Sequence, residues 1–206
     1  CARCISSRFR NAVQKGVRFL DGSLVQIAKQ RGPSQRATYS GHKKFNGLKY
    51  QAITGPDGII LNLFGPWEGR RHDMTLFRES YIEHALSEGL TTGADQYHLY
   101  ADSGYNVRPY ILAPFSRQTS DPDELLFNKR MAKVRVTVER AFKDVKKYFS
   151  HQAFSRKMVH SRVPIGKWYI CTALLWNFRV ALYGSPTAAY FDIEAPTLEE
   201  YANLHM

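Results

Sequence analysis

Apolar and polar positions in the first third of the chain alternate as expected for three β-strands. The runs at residues 17–27, 48–54 and 59–64 are rich in apolar and β-branched side chains and are bounded by Gly, Pro and Asp. We expect the first run to be interrupted at 21–23, where Asp-Gly-Ser is typical of a turn. The Gly-Pro-Asp-Gly sequence at 55–58 predicts a tight turn, because Pro presets one backbone dihedral and Gly accepts positive φ. The second and third strands are therefore predicted to form a hairpin.

The remainder of the chain alternates short strands with helices. Asp73 is expected to cap a helix over residues 73–88, and short strands are predicted at 97–101 and 110–113. Three antiparallel strands followed by parallel additions and covering helices define a layered α/β domain with a mixed five-stranded sheet. Two further helices complete the pattern, a long one that begins at 121–123 and a hydrophobic one at 165–182.

Composition divides the chain into three parts. Residues 1–16 are expected to be a linker or the end of an upstream domain, and we expect the sequence to be a fragment because it begins with Cys1. Residues 17–182 carry all the predicted strands and helices and are expected to fold as one domain. Residues 183–206 contain four acids and no Lys or Arg, and they are predicted to form an acidic polar tail.

The charge of the chain favours a polyanionic partner. The formal net charge is +11, and residues 128–167 contain twelve Lys or Arg against two acids. Such a concentration of positive charge favours nucleic acid first. No apolar run reaches the length of a bilayer-spanning helix, so no membrane association is predicted. Neither a Rossmann glycine pattern nor a G-x-x-x-x-G-K-[ST] phosphate loop is present, which argues against the common nucleotide-binding folds.

Three acids stand where acids are costly unless they have a charged partner or a metal. Asp21 interrupts the first predicted strand, and Asp102 directly follows the fourth. If these two strands are neighbours in the sheet, both carboxylates point into one crevice. Glu139 borders the apolar stripe of the long helix and is nearly surrounded there by Lys and Arg. Three convergent carboxylates are ligands that Mg²⁺ or Mn²⁺ prefers, so Asp21, Asp102 and Glu139 are the candidate catalytic and metal-binding residues.

Each of these acids also has an ordinary structural interpretation. Asp21 and Asp102 could be turn acids beside Gly or Ser-Gly. Glu139 could be the ion-pair partner of Arg135 or Lys143, which is the usual role of a helix acid. Asp73 could be only a helix N-cap.

Five sequence strings occur in an order that resembles a known family. They are FLDGS at 19–23, YSGHKK with KYQAI within 39–53, GRRHDMTLFRES at 69–80, YADSGY at 100–105 and NKRMAKVRVTVERAF at 128–142. Together, over roughly residues 17–150, they resemble the DDE superfamily endonuclease domain of PIF/Harbinger-type transposases. Two positions depart from the family pattern, because Lys143 replaces a common Gly and bulky residues precede His72. Neither departure removes a candidate metal ligand.

The resemblance implies an RNase H-like fold and a metal-dependent DNA endonuclease and transposase that uses Mg²⁺ or Mn²⁺. It assigns the three family acids to Asp21, Asp102 and Glu139 and a His-Asp pair to His72 and Asp73, with Asp73 as a further metal ligand. It also implies a nuclear protein that works with an upstream helix-turn-helix segment and a Myb-like accessory protein, and it is compatible with a dimer.

Two alternatives to the nuclease stay open. One is a domesticated relative that keeps the fold and binds DNA without cutting it, and the other is a basic chromatin or RNA-binding module without a metal. All three share a basic surface for phosphates. On charge alone, the DNA-binding candidates are Lys43, Lys44, Arg130, Lys133, Arg140, Lys143 and Lys146.

Overall fold

The computed structural model describes residues 18–84, 98–105, 107–149, 158–159 and 162–203. Within this part of the chain a mixed sheet is flanked by helices. The strands are β1 Arg18–Gln26, β2 Tyr39–Ser40, β3 Phe45–Thr54, β4 Ile60–Glu68, β5 Leu99–Ala101 and β6 Ile111–Leu112, and the helices are α1 Pro33–Thr38, α2 Asp73–Glu79, α3 Pro122–Tyr148, α4 Ile165–Tyr183, α5 Pro186–Phe191 and α6 Leu198–Asn203.

The sheet has an antiparallel half and a parallel half that share β1. Strands β4, β3 and β1 are antiparallel neighbours, whereas β5 pairs with β1 and β6 with β5 in parallel. The sixth strand, β2, contains two residues and pairs with the start of β3. This mixed sheet with covering helices confirms the predicted α/β class and is consistent with an RNase H-like fold.

Strand β1 is continuous, so the predicted interruption at 21–23 is wrong. Asp21 pairs with Ala52, Gly22 with Gln51 and Ser23 with Tyr50 in an unbroken register with β3. The ten-residue β3 pairs along nearly all of β1. Pairing with a neighbouring strand overrides the local turn preference of Asp-Gly-Ser, which is a tertiary effect that a short sequence pattern does not contain.

The β3–β4 hairpin is confirmed, with its turn at 55–58. The Gly55 N–H donates to the Ile59 carbonyl at 2.9 Å, and the Gly58 N–H donates to the Gly55 carbonyl at 3.1 Å. Gly58 has φ of 88°, a conformation that side-chain-bearing residues rarely adopt.

Helix α2 is shorter than predicted, and Asp73 is not its cap. The N-cap residue is His72, which makes no side-chain capping hydrogen bond, and Asp73 is the first helical residue. The helix ends at Glu79, two residues before Tyr81, which has φ of 53°. The last part of the predicted helix, 85–88, lies outside the described residues.

The long helices α3 and α4 cover one face of the sheet. Phe142 and Val145 of α3 and Trp176 of α4 pack with Ile59 and Ile60 in one buried cluster. The Asp121 side chain accepts a hydrogen bond from the Asp123 N–H and caps α3, as the sequence predicts. On the other side of the sheet, a second cluster lies around Leu20, Ile53, Phe77, Leu99 and Ile111.

A buried hydrogen-bond group joins α4 to the edge strand β4, and we call it the Asn177 clamp. The Asn177 Oδ1 accepts from the Ile60 N–H at 2.8 Å, and its Nδ2 donates to the Ile60 carbonyl at 2.8 Å. The same Nδ2 donates to the Tyr201 hydroxyl at 3.0 Å. The side-chain amide thus pairs with both backbone groups of one strand residue, as a further strand would do.

The C-terminal segment is folded, although the sequence predicts a polar tail from residue 183. Residues 186–191 and 198–203 form α5 and α6, and Tyr201 is buried in the α3–α4 cluster. The Ser185 side chain caps α5 by accepting from the Ala188 N–H at 3.0 Å. The segment is also held by Ala188, which is buried, and by Phe191, which stacks on Phe19 with ring centroids 5.7 Å apart.

An aromatic stack joins the ends of α3 and α4. The Arg179 guanidinium lies 4.0 Å from the ring centroid of Tyr148, the last residue of α3, and also approaches the Trp176 ring. The Arg179 NH2 donates to the Tyr148 hydroxyl at 2.9 Å. Cation–π and hydrogen-bond contacts therefore anchor the C-terminal end of α3.

Helix α4 is apolar on most sides, with exposed residues that include Leu174, Leu175 and Leu182. Even so, among the described residues no helix combines the length and the hydropathy that crossing a bilayer requires.

Candidate active site

A pocket of about 720 Å³ opens where the middle of β1 and the C-terminal end of β5 face the middle of α3. Its lining includes four acids, which are Asp21, Asp73, Asp102 and Glu139. All three acids predicted as catalytic, together with the additional candidate Asp73, therefore line one pocket.

The register of the sheet explains why Asp21 and Asp102 lie close together. In the parallel pair of β1 and β5, Leu20 is aligned with Ala101. The residues that follow them, Asp21 and Asp102, are therefore side by side. The predicted adjacency of the first strand and the strand before Asp102 is confirmed. Strand β5 ends at Ala101, whereas β1 continues past Asp21 to Gln26, so Asp102 lies beside the middle of β1.

Helix α3 presents Glu139 to the same pocket. Met131, Val134, Phe142 and Val145 are buried and fix the inner face of the helix. Glu139 lies at the border of this face, about two-fifths exposed, so its carboxylate reaches the pocket rather than the core.

Arg135 holds two of the three predicted acids, and we call this arrangement the Arg135 fork. Its NH1 lies 3.0 Å from Asp102 Oδ1, and its NH2 lies 3.1 Å from Glu139 Oε1. The ion pair with Glu139 agrees with the ordinary structural interpretation of this acid, because Arg135 and Glu139 are four residues apart on α3. The pair with Asp102 was not predicted, because it connects α3 to the loop after β5.

Asp21 carries the clearest electrostatic signature in the pocket. Burial raises the pKa of its carboxyl to about 7 from an ordinary 3.8, and the negative charges of Glu139 and Asp102 act in the same direction. The positive charge of Arg135 and the Gly22 N–H lower this pKa, but they do not offset the burial. Desolvation, the largest of these effects, makes Asp21 costly to ionise, and a cation bound beside it would stabilise its ionised form.

Asp73 enters the pocket because Gly22 has no side chain. A Cβ at Gly22 would overlap the Asp73 carboxylate, and a Cβ at Gly104 would lie 3.7 Å from Asp73 Oδ2. Lys49 Nζ pairs with Asp73 Oδ1 at 3.2 Å and donates to the Arg71 carbonyl at 2.6 Å. Asp73 thus lies between the two glycines that follow Asp21 and Asp102, with a lysine as its partner.

The donor set fits a hard divalent cation in its chemistry, but not yet in its arrangement. All four acids offer carboxylate oxygens, which Mg²⁺ and Mn²⁺ prefer, and Asp21 would ionise more readily beside a cation. Within the part of the chain that the structure describes, no group of three or more His, Cys, Asp or Glu side chains is close enough to share an ion. A metal centre here would require the carboxylates to draw together.

The basic candidates fall into two groups. Lys43, Lys143 and Lys146 line the pocket beside the acids. Lys146 Nζ donates to the Leu24 carbonyl at 3.4 Å, and burial lowers the pKa of its ammonium, an effect that Asp21 opposes. These three lysines provide positive charge in the same pocket as the acids.

Three of the other basic candidates, Lys44, Arg130 and Lys133, are not among the described residues that line the pocket. Lys44 and Lys133 are exposed, whereas Arg130 is half-buried. The Arg130 NH1 is enclosed and has no hydrogen-bond partner among the described residues. The side chain of Arg140 lies outside the described residues. A role for these residues in binding DNA stays a prediction.

Several pocket residues were not predicted as site residues. Arg70 and Arg71 also line the pocket, and the signal for them was the unusual basic pair just before His72. Lys49, which its charge alone also makes a DNA-binding candidate, lines the same pocket, but its position on β3 close to Asp73 is a relation that only the folded sheet provides.

The fold and the acid-lined pocket together define a nuclease-type domain. The chain belongs to the DDE superfamily endonuclease family, whose model matches residues 20–177. A curated relative, "Protein ALP1-like" from Arabidopsis thaliana, is 22% identical over 124 residues, which cover 55% of this chain but only 30% of the relative's length. No solved structure matches the chain. The expected family is thereby confirmed at the level of the DDE superfamily.

Proposed function

We propose that this domain cuts and joins DNA phosphodiester bonds in a reaction that depends on divalent metal ions, as a transposase of the PIF/Harbinger type. The observation that carries the proposal is the convergence of Asp21, Asp102 and Glu139 on one pocket with a basic wall. Membership of the DDE endonuclease family supports the same chemistry.

The three acids would hold two Mg²⁺ or Mn²⁺ ions, with Asp73 as a further ligand. Bound divalent cations supply the acidity that activates a water or a DNA 3′-hydroxyl and stabilise the leaving oxygen. The acids orient the cations, and their strands and helix fix them on a rigid framework. Burial of Asp21 keeps that side of the pocket poor in water, which strengthens electrostatic interactions there.

The lysines of the pocket would bind the DNA backbone. Lys43, Lys143 and Lys146 contribute positive charge on both sides of the acids. Phosphate contacts of this kind position a nucleic acid without reading its sequence. We therefore assign them to binding of the scissile strand, and assign recognition of element ends to other parts of a longer protein.

A second candidate is a domesticated relative that binds DNA without cutting it. The Arg135 fork favours this alternative, because its guanidinium neutralises Asp102 and Glu139 without any metal. In such a protein the acids would be structural ion-pair partners, while the basic wall would still bind phosphates.

For either candidate we propose DNA as the partner and the nucleus as the location, since both follow from the transposase resemblance. A Myb-like accessory protein and a dimeric assembly belong to the same proposal.

The proposal is tested by nicking of supercoiled plasmid with purified protein in Mg²⁺ or Mn²⁺. We expect Asp102→Asn to reduce the nicking rate by about 10³-fold, because loss of a metal ligand removes several kcal/mol of transition-state stabilisation. Asp144→Asn is the control with the same chemical change, at an acid of α3 that is not among the residues lining the pocket, and it should nick as the wild type does.

Two results would decide between the candidates. Equal nicking by the wild type and Asp102→Asn would reject the assignment of Asp102. Salt-dependent DNA binding by a wild-type protein that does not nick with either metal would favour the silent relative.

A further inference from the structure

The Arg135 fork lies where the proposed metal ions would have to bind. Its two nitrogens are 3.0 Å from Asp102 Oδ1 and 3.1 Å from Glu139 Oε1. The oxygens that accept these hydrogen bonds belong to two of the three acids proposed to bind metal. When Asp102 Oδ1 or Glu139 Oε1 binds a metal ion, its hydrogen bond to the Arg135 guanidinium is weakened or broken.

The anchoring of the fork explains how one residue reaches both acids. Arg135 and Glu139 are one turn apart on α3, whereas Asp102 follows β5 on the sheet. Val134, beside Arg135 in the chain, is buried and holds this part of α3 against the sheet. The planar guanidinium donates two hydrogen bonds in a fixed geometry, which the single ammonium of lysine does not reproduce.

The two ion pairs are weak enough to be exchanged. The side chains of Asp102 and Glu139 are 44% and 41% exposed, and that of Arg135 is 25% exposed. Ion pairs with this degree of exposure stabilise a fold only slightly, because water screens them. The fork therefore orders the two carboxylates without holding them against a stronger competitor.

We propose that Arg135 is a positioning residue that competes with divalent metal for Asp102 and Glu139. Without metal it keeps the two ionised acids ordered and apart, and metal binding requires the guanidinium to release at least one of them. The inference rests on the proposed metal-dependent function. It adds that the Arg135 ion pairs lower the affinity of the site for divalent metal. The same fork explains why the described acids do not already form a shared cation site.

The competition is tested by calorimetric titration of the metal-free protein with Mn²⁺. We expect Arg135→Gln to bind Mn²⁺ about 3- to 30-fold more tightly than the wild type, the range expected when two half-exposed ion pairs are removed. The Mn²⁺ affinity of Arg135→Lys should lie between those of the wild type and Arg135→Gln, since this variant keeps the positive charge but loses the two-pronged geometry of the fork. An ordinary structural ion pair predicts the opposite direction, because its loss would leave the acids less ordered and weaken binding.

Lys143→Gln is the matched control for charge. Lys143 lies on the same helix and lines the same pocket, so its loss removes one positive charge near the acids without removing the fork. Its effect on Mn²⁺ affinity should be clearly smaller than that of Arg135→Gln. An equal effect would overturn the inference, because general electrostatics would then explain both variants.

The remaining outcomes separate this inference from the proposed function. Wild-type binding of Mn²⁺ with equal or weaker binding by Arg135→Gln overturns the competition but leaves the metal centre standing. Absence of binding in both proteins overturns both. Detectable binding only after the substitution supports the competition. Circular dichroism and melting in EDTA verify folding, and if Arg135→Gln does not fold, Arg135→Lys must itself bind more tightly than the wild type.

Discussion

The Asn177 clamp and the acid-lined pocket are two polar regions of the same sheet that follow opposite rules. In the clamp, one buried amide satisfies the Ile60 N–H, the Ile60 carbonyl and the Tyr201 hydroxyl at 2.8–3.0 Å. In the pocket, four acids stand among basic side chains, and burial that these charges do not offset raises the pKa of Asp21 to about 7. Buried polar groups with full partners specify a structure, whereas incompletely compensated charges retain the capacity to bind something else.

The largest stability effect is expected from breaking the clamp. Asn177→Leu leaves the Ile60 N–H and carbonyl and the Tyr201 hydroxyl without this partner in a buried site. Unsatisfied buried groups cost about 1–3 kcal/mol each before relaxation, so we expect a loss of about 3 kcal/mol. For a domain of this size the melting temperature should fall by roughly 6–12 °C in calorimetry.

Asn203→Ala is the control for this comparison, because Asn203 is an exposed residue of α6. It should change the melting temperature by less than about 1 °C. A similarly small effect of Asn177→Leu would show that the clamp does not hold the edge strand.

A smaller effect is expected where Gly22 admits Asp73 to the pocket. Gly22→Ala places a methyl group against the Asp73 carboxylate and should displace it from Lys49. Overpacking of this kind costs about 1–2 kcal/mol, which chemical denaturation would measure. Gly41→Ala is the matched substitution, since a Cβ there meets nothing within 4 Å. Equal stability of the two variants would mean that Asp73 has room to move aside.

The smallest effect is a pH dependence that belongs to Asp21. Its folded pKa of about 7 exceeds the ordinary 3.8, so the folded state binds the proton more tightly than the unfolded state. The contribution of Asp21 to the stability of the metal-free protein should therefore be greatest below about pH 4, fall as the pH rises to 7, and stay level above that. In EDTA at pH 8, Asp21→Asn should raise the melting temperature by roughly 2–4 °C, which corresponds to about 1 kcal/mol after allowance for solvent screening.

The control for the pH effect is the same variant at pH 4, where it should melt as the wild type does. The stability of Asp21→Asn will still fall somewhat as the pH rises, because burial also raises the pKa of the Asp57 carboxyl. If the difference in melting temperature between Asp21→Asn and the wild type does not grow between pH 4 and 8, the assignment of the perturbed pKa to Asp21 is contradicted.

Much of the fold was predictable because strands and turns are local. The hairpin turn at 55–58 and the start of the long helix at 121–123 depend on nearby residues, and both were predicted. The convergence of Asp21 and Asp102 was also predictable, because it requires only that their strands be neighbours. The metal-binding role of these acids and of Glu139 is still a prediction.

The features that the sequence did not predict are contacts between distant segments. Nothing near Asp102 in the chain indicates that Arg135 would reach it across 33 positions. The approach of Asp73 to Gly22 depends on the absence of a side chain on a neighbouring strand. The burial of Tyr201 was hidden because the acidic composition around it gives no sign that one ring enters the core.

The Arg179 stack holds the C-terminal end of α3 in place. It fixes the helix at Tyr148, nine residues beyond Glu139, or about 13 Å at a rise of 1.5 Å per residue. A tilt of about 5° around this fixed end moves the Glu139 carboxylate by roughly 1 Å, while the C-terminal end of the helix stays in place. Because Met131, Val134, Phe142 and Val145 also pack α3 against the sheet, such a tilt would have to move buried side chains, so the spacing of the acids is tied to the packing of the whole 27-residue helix.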